Sequence, residues 1–120
     1  MIRVADFIMQ YLADEVGVSH VFVVTGGGAM HLDDAVGRNK KIEYVCTHHE
    51  QALAMAVESY ARVKNSLGVG LVTTGPGGTN ALTGVVGAWM DSTPWLFLSG
   101  QVALKDTIID TELRQRGVQE

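Results

Sequence analysis

Residues 68–80 read GVGLVTTGPGGTN, a largely apolar run followed by a cluster of glycine, proline and asparagine. The run at residues 68–73 does not alternate between apolar and polar residues, which is typical of a strand covered on both faces of a parallel sheet. Glycine and proline at residues 75–78 break that strand, and apolar residues at helical spacing then predict a helix over residues 79–90. The stretch therefore predicts a strand, a loop and a helix, the repeating unit of an α/β fold.

The same unit recurs along the chain. The predicted helices cover residues 2–16, 29–37 and 49–64, and the predicted strands cover residues 20–24, 42–46 and 95–98. Because helices and strands alternate, we expect a parallel, doubly wound α/β sheet with helices on both faces. The expected apolar helix faces are Val4, Phe7, Ile8, Tyr11, Leu12 and Val16 on the first helix and Leu82, Val85, Val86 and Trp89 on the last.

Composition narrows the function classes. The chain has 120 residues, 47% hydrophobic and 18% charged, which is enough for one domain with a buried core. A net charge of −4 without a basic stripe argues against nucleic acid as a partner. The N-terminal segment is charged throughout and is neither a signal peptide nor a membrane span, so we expect no membrane partner. The single cysteine, Cys46, excludes an intrachain disulfide, fits a cytoplasmic location and is expected to be buried.

Polar and glycine-rich segments follow the predicted strands, at residues 25–28, 48–50, 74–80 and 99–101. Since doubly wound sheets bind ligands beyond the carboxyl ends of their strands, we expect the site among these segments. The glycines at residues 26–28 do not form a dinucleotide fingerprint, because His31 stands where the third glycine of that fingerprint belongs. They fit either a tight turn or the close approach of a ligand or a partner.

The segment GPGGTN at residues 75–80 also has two interpretations. Thr79 or Asn80 is predicted to cap the helix that follows. The Gly/Pro cluster of this segment stands next to an asparagine at the carboxyl end of a strand. That position favours a ligand-binding loop over a plain turn.

His48, His49 and Glu50 lie at the start of the predicted helix 49–64. They do not match the His-Glu-x-x-His pattern of zinc enzymes, because Leu53 stands at the second histidine position, so we expect no metal ligands in this chain. In the first turn of a helix, Glu50 is stabilised as an anion by the helix dipole. An uncharged run follows it, and burial there would let Glu50 share a proton with a ligand nitrogen. The residues alone leave both interpretations open.

Four segments, in this order and spacing, resemble the N-terminal, pyrimidine-binding domain of thiamine diphosphate-dependent enzymes of the acetolactate synthase type. They are HHEQALAMAVESYAR at 48–62, LVTTGPGGTN at 71–80, GAWMDSTPWLFLSGQV at 87–102 and GVQE at 117–120. The resemblance implies a flavodoxin-like fold over residues 1–120, cut short at its C-terminus. It also implies that the central and diphosphate-binding domains of such enzymes are absent from this chain.

The same resemblance implies a cofactor site. Glu50 would hydrogen-bond N1′ of the aminopyrimidine of thiamine diphosphate and donate a proton there, which makes it the expected catalytic residue. Mg²⁺ would be held by the missing diphosphate-binding domain, and FAD stays open because some relatives bind it. Gln101 matches a pattern residue of less defined role. The positions that match cofactor-binding segments of the family are Val24, Thr25, Gly26, Glu50, Pro76, Asn80 and Gln119.

The resemblance implies decarboxylation and carboligation of a 2-keto acid such as pyruvate, in a homodimer or homotetramer whose subunits share the cofactor. The first loop reads VTGGGA where acetolactate synthases usually have Tyr-Pro-Gly-Gly-Ala, so a homologue that transfers an acyl group to a sugar-nucleotide ketone is an alternative. A non-catalytic α/β binding or assembly module is another. Since the chain would hold half of a site, we expect it to be inactive alone.

Overall fold

In a computed structural model of the chain, residues 1–107 are described. The helices are α1 (Val4–Asp14), α2 (Met30–Arg38), α3 (Glu50–Lys64), α4 (Pro76–Asn80) and α5 (Leu82–Met90). The strands are β1 (His20–Val23), β2 (Glu43–Cys46), β3 (Gly68–Val72) and β4 (Trp95–Ser99), and short 3-10 turns occupy Gly27–Ala29 and Leu104–Asp106. Every predicted strand is present, with boundaries that shift by one residue. No helix in this part of the chain is long and apolar enough to cross a membrane.

The four strands form one sheet in the order β2-β1-β3-β4, and every neighbouring pair is parallel. This confirms the predicted α/β fold. The central strands β1 and β3 are almost entirely buried, as their continuous apolar sequences require. After β1 the chain continues to β2 on one side of β1, and after β2 it returns to β3 on the other side. The loops that follow β1 and β3 therefore border a crevice at the carboxyl edge. Such a crevice is the usual ligand site of a doubly wound sheet.

Helices cover both faces of the sheet, as predicted. Successive residues of a strand point to opposite faces, so each central strand contributes to two cores. Between the sheet and α1 and α2, the buried residues include Met9, Leu12, Val21, Val23, Ala35, Val36, Val69 and Leu71. Between the sheet and α3, they are Phe22, Leu53, Val57 and Val72.

The helix α5 packs against α3. Gly84 permits this close approach, because a Cβ atom there would lie 2.4 Å from Cβ of Ala54. The expected apolar face of α5 is not the face that packs against α3: Leu82, Val86 and Trp89 are exposed, and Trp89 keeps 83% of its surface. The side of α5 that carries small residues faces the protein, since only small side chains fit between two helices at this distance.

The buried face of α1 matches the expected apolar face only in part. Leu12 is buried as expected, and Met9 is buried beside it. Val4, Phe7 and Tyr11, from the expected face, are exposed by half or more. Apolar residues cover more than one face of α1, so their spacing alone fits two alternative buried faces. Packing against α2 and the sheet selects the face that carries Met9.

The strand β2 lies at an edge of the sheet, and all four of its residues are exposed. Cys46 is therefore exposed, and the prediction that it is buried is wrong. The physical reason is position in the sheet: β2 has a neighbouring strand on one side only, while β1 and β3 have one on each side.

Within the segment GPGGTN, α4 (Pro76–Asn80) is helical, so residues 76–78 differ from the predicted loop. Pro76 stands in the first turn of α4, where its fixed φ angle suits a helix and its missing N–H costs no hydrogen bond. Thr79 and Asn80 lie inside α4, and Ala81 occupies the capping position of α5, so neither residue caps that helix as predicted. The hydroxyl of Thr79 instead donates to the carbonyl oxygen of Pro76.

Candidate functional site

Glu50 is the first residue of α3, at the carboxyl edge of the sheet. The residue before it, His49, caps the helix: its Nδ1 accepts a hydrogen bond of 3.1 Å from the backbone N–H of Gln51. The carboxylate of Glu50 is therefore not needed as a cap. It is partly buried and lies at the positive end of the α3 dipole, which favours a negative charge.

The carboxylate of Glu50 meets the end of α4. Nδ2 of Asn80 donates a hydrogen bond of 3.1 Å to Oε2 of Glu50. The other oxygen, Oε1, lies beside Gly77, where an added Cβ atom would be 3.7 Å away. The structure therefore brings together two of the predicted site residues, Glu50 and Asn80, which are thirty positions apart in the sequence.

The second glycine loop, residues 75–78, brings its backbone close to this carboxylate. Gly75 has φ 59° and ψ −118°, a conformation that side chains strongly disfavour, and it turns the chain from β3 into α4. Gly77 is buried, and a Cβ atom there would lie 2.8 Å from Cγ2 of Thr73. Because Gly77 has no side chain, only its backbone lies next to the carboxylate of Glu50.

The first glycine loop, residues 26–28, packs against the residues that follow β3. The backbone N–H of Gly28 donates to Oγ1 of Thr73 at 3.1 Å, and a Cβ atom on Gly26 would lie 2.4 Å from Cβ of Thr73. Gly100 approaches from β4, with an added Cβ atom 2.4 Å from the carbonyl oxygen of Gly28. Contacts within the chain thus account for Gly26 and Gly28, whereas an added Cβ atom on Gly27 would have no atom within 4 Å.

The two glycine loops line a common cleft of about 590 Å³ at the carboxyl edge. Pro76 and Gln101 lie on its wall together with the backbone of Gly28. The buried Thr74 fixes Gln101, because its hydroxyl donates to Oε1 of Gln101 at 2.5 Å. The structure thus places two more sequence-selected residues, Pro76 and Gln101, in one cavity at the predicted edge.

The remaining predicted site residues lie apart from one another. The side chain of Val24 packs on the α3 face of the sheet. Thr25 instead lines a smaller cavity of about 250 Å³ between α2 and β2, and Gly26 packs against Thr73. Gln119 lies outside the described residues.

Sequence reasoning missed Asp33, which supports the first glycine loop. Its Oδ2 accepts a hydrogen bond of 3.3 Å from the backbone N–H of Gly26, while its buried Oδ1 has no partner among residues 1–107. Burial raises the pKa of the Asp33 carboxyl above its usual value, and the hydrogen bond from Gly26 opposes that rise. One acidic residue on a helix gives no pattern in the sequence, so only its contacts reveal this role.

Thr73 was also missed as a supporting residue. Two hydroxyl residues in a row, Thr73 and Thr74, at the end of a buried strand are the signal that could have found it. No cluster of three or more His, Cys, Asp or Glu side chains suited to a metal ion occurs within residues 1–107.

The chain is similar in sequence to a known protein family and to several of its members. Residues 2–119 match the family described as thiamine pyrophosphate enzyme, N-terminal TPP binding domain. The chain is 43% identical over 103 residues to the acetolactate synthase isozyme 3 large subunit of Escherichia coli, covering 86% of the chain and 18% of that protein. It is 40% identical over 99 residues to the acetolactate synthase large subunit of Buchnera aphidicola, covering 82% of the chain and 17% of that protein.

A plant protein is similar to the same region. The chain is 38% identical over 98 residues to the chloroplastic acetolactate synthase of Arabidopsis thaliana, covering 82% of the chain and 14% of that protein. The chain therefore spans less than a fifth of the length of these curated relatives.

Proposed function

The chain belongs to the thiamine pyrophosphate enzymes, as their N-terminal cofactor-binding domain, and we propose that it holds the aminopyrimidine end of thiamine diphosphate, with Glu50 as the catalytic residue. The observation that carries the proposal is the carboxylate of Glu50 beside the side-chain-free backbone of Gly77, at the carboxyl edge of the sheet. The 1–120 segment is one part of a larger enzyme in this proposal.

The residues at this edge fit a flat heteroaromatic ring. Oε1 of Glu50 accepts no hydrogen bond from the described residues, so it can meet a ring nitrogen. A side chain at Gly77 would begin 3.7 Å from that oxygen, so the glycine keeps bulk away from the atom that the ring nitrogen would meet. Pro76, exposed on the wall of the adjoining cleft, offers an apolar surface for a ring face.

In this proposal Glu50 hydrogen-bonds N1′ of the aminopyrimidine and holds a proton at that atom. Thiamine diphosphate, when bound, supplies the carbon centre that attacks a carbonyl group and takes up the electrons released by decarboxylation. A carboxyl group does this work best when water is excluded, because its hydrogen bond to the ring is then stronger. Since Glu50 is only partly buried in this chain, we infer that another domain or subunit covers it in the working enzyme.

We infer further that the complete enzyme acts on a 2-keto acid such as pyruvate, by decarboxylation and carboligation. The support is the identity of 38–43% to proteins named acetolactate synthases. Mg²⁺ and the diphosphate are proposed to bind outside this chain, so residues 1–120 alone are inactive. The exposed apolar side chains of α5, such as Trp89, suit a dimer or tetramer in which a second subunit covers them.

The proposal is tested by Glu50→Gln in the complete enzyme. Glutamine keeps the size of the side chain but holds no acidic proton, so exchange of the C2 proton of bound thiamine diphosphate is expected to slow roughly 10²–10⁴-fold. The rate is measured by proton NMR after dilution into heavy water and rapid quenching.

The matched control is Glu58→Gln, the same substitution two turns further along α3, which should leave the exchange rate unchanged. Exchange at the unmodified rate in Glu50→Gln, with the cofactor bound, would refute the catalytic role of Glu50.

A further inference from the structure

The two carboxylate oxygens of Glu50 have different surroundings. Oε2 accepts the hydrogen bond from Nδ2 of Asn80 at 3.1 Å. Oε1 faces the position where Gly77 lacks a side chain. One oxygen therefore accepts a hydrogen bond from the protein, and the other accepts none from residues 1–107.

We propose that Asn80 is a positioning residue that fixes the carboxylate of Glu50, rather than a residue that itself contacts the cofactor. This inference rests on the proposed function of Glu50. It differs from the sequence-based expectation, in which Asn80 touches the pyrimidine. One of the two N–H donors of Nδ2 is used by the hydrogen bond to Glu50, and this bond orients the whole amide.

The geometry explains why such a residue is needed. The terminal torsion of a glutamate side chain has a broad energy minimum, so a free carboxylate turns easily. A donor on one oxygen restricts that rotation and points the second oxygen toward one direction. Without the donor, the carboxylate samples orientations in which neither oxygen faces the space beside Gly77.

The short helix α4 delivers the amide to the right place. The left-handed turn at Gly75 starts the helix, and Gly77 lets it pack closely against Thr73. Asn80 is the last residue of α4, and its side chain reaches back toward the first residue of α3. The second glycine loop thus builds the site indirectly, by placing Asn80.

A purely structural role for this hydrogen bond would predict a different result. Asn80 is exposed and Glu50 is partly exposed, and a hydrogen bond at such a position adds little to the stability of a fold. If the bond only joined α3 to α4, its loss would lower stability slightly and leave the chemistry of Glu50 intact.

The test uses Asn80→Leu in the complete enzyme, because leucine has a similar size but no donor. We expect C2 proton exchange of the bound cofactor to slow about tenfold, the effect of losing one hydrogen bond to a charged group. The dissociation constant of thiamine diphosphate, measured by isothermal titration calorimetry, should change less than about threefold because no cofactor contact is removed.

The matched control is Thr79→Val, one position earlier on α4, whose hydroxyl bonds only to the carbonyl oxygen of Pro76 among the described residues. It should leave both measurements unchanged. Asn80→Asp is the second variant, since it keeps the shape of asparagine and places a like charge beside Glu50. It should slow exchange at least as much as Asn80→Leu.

The possible outcomes can be told apart. Slower exchange with an unchanged dissociation constant supports the positioning role. A weakened dissociation constant with unchanged exchange of the bound cofactor means that Asn80 contacts the cofactor directly, and it overturns the inference. Unchanged values for both measurements also overturn it, whereas an unaffected Glu50→Gln enzyme overturns the proposed function itself.

Discussion

The two glycine loops make an instructive comparison. Both follow a central, buried strand, and both lie at the carboxyl edge of the same sheet. In the first loop, Gly26 is required by packing, because an added Cβ atom would lie 2.4 Å from Cβ of Thr73. In the second loop, Gly77 also packs against Thr73, at 2.8 Å from its methyl group, but the same Cβ atom would lie 3.7 Å from the carboxylate of Glu50. Glycine after a strand therefore indicates close approach, but only the neighbouring atoms show whether that approach serves packing or ligand binding.

The largest effect on stability is expected from Gly26→Ala in the first loop. The new Cβ atom would lie 2.4 Å from Cβ of Thr73, and this atom cannot move without shifting the end of β3. We expect a loss of about 3 kcal/mol or more in the free energy of unfolding, measured by denaturant titration of the complete enzyme. Gly27→Ala is the matched control, because no atom lies within 4 Å of its added Cβ. Equal stability of the two variants would contradict the packing role of the first loop.

A smaller loss of stability, with a clear loss of cofactor affinity, is expected from Gly77→Ala in the second loop. Its Cβ atom would meet only the methyl group of Thr73, at 2.8 Å, and would lie 3.7 Å from Oε1 of Glu50. Better helix propensity of alanine offsets part of the strain, by up to ~1 kcal/mol. Calorimetric titration should show at least roughly tenfold weaker binding of thiamine diphosphate, about 1.4 kcal/mol.

The comparison of the loops fails if affinity stays normal in Gly77→Ala. Gly27 lines the common cleft without contact to Glu50. Normal affinity in Gly27→Ala would therefore sharpen the comparison, because it would assign the loss in Gly77→Ala to the position beside Glu50.

The smallest effect is expected from Asp33→Asn, which tests the support of the first loop. Burial raises the pKa of Asp33, so the folded state holds its proton to higher pH than the unfolded state does. Stability therefore falls as pH rises from the ordinary carboxyl range through the raised pKa, and the cost persists at neutral pH. Asparagine removes this cost and keeps an acceptor for Gly26, so Tm should rise at pH 7. The gain in the free energy of unfolding should stay below about 1 kcal/mol, because water screens the partly exposed carboxyl group.

The neighbouring residue gives a control of opposite sign. Arg3 forms an ion pair of 2.7 Å with Asp34 and lowers the pKa of that carboxyl. Its contribution to stability is present above the ordinary carboxyl pKa and is lost as pH falls through the lowered one. Thermal melts across pH 3–7 should therefore show a gain for Asp33→Asn and a loss for Asp34→Asn near neutrality. Two variants that respond alike would show that Asp33 is not buried as described.

Much of the candidate site could be located from the sequence, because its members follow strands whose order the sequence shows. Glu50, Pro76, Asn80 and Gln101 all lie at the predicted edge. The hydrogen bond between Glu50 and Asn80 could not be predicted, because it depends on a turn at Gly75 and on GPGGTN forming a helix. The roles of Asp33 and Thr73 were missed for the same reason, since each acts through a contact with a residue distant in sequence.

The sequence by itself determined the order of the strands and of the four longer helices, the parallel sheet and the edge at which the candidate site lies. These follow from local periodicity and from chain connectivity, which need no knowledge of side-chain contacts. The tertiary structure alone decided which faces of α1 and α5 are buried, that Cys46 is exposed at an edge strand, and which oxygen of Glu50 is held. Those features depend on which surfaces meet at close range, and spacing along a chain cannot specify that when an element carries apolar or small residues on more than one side.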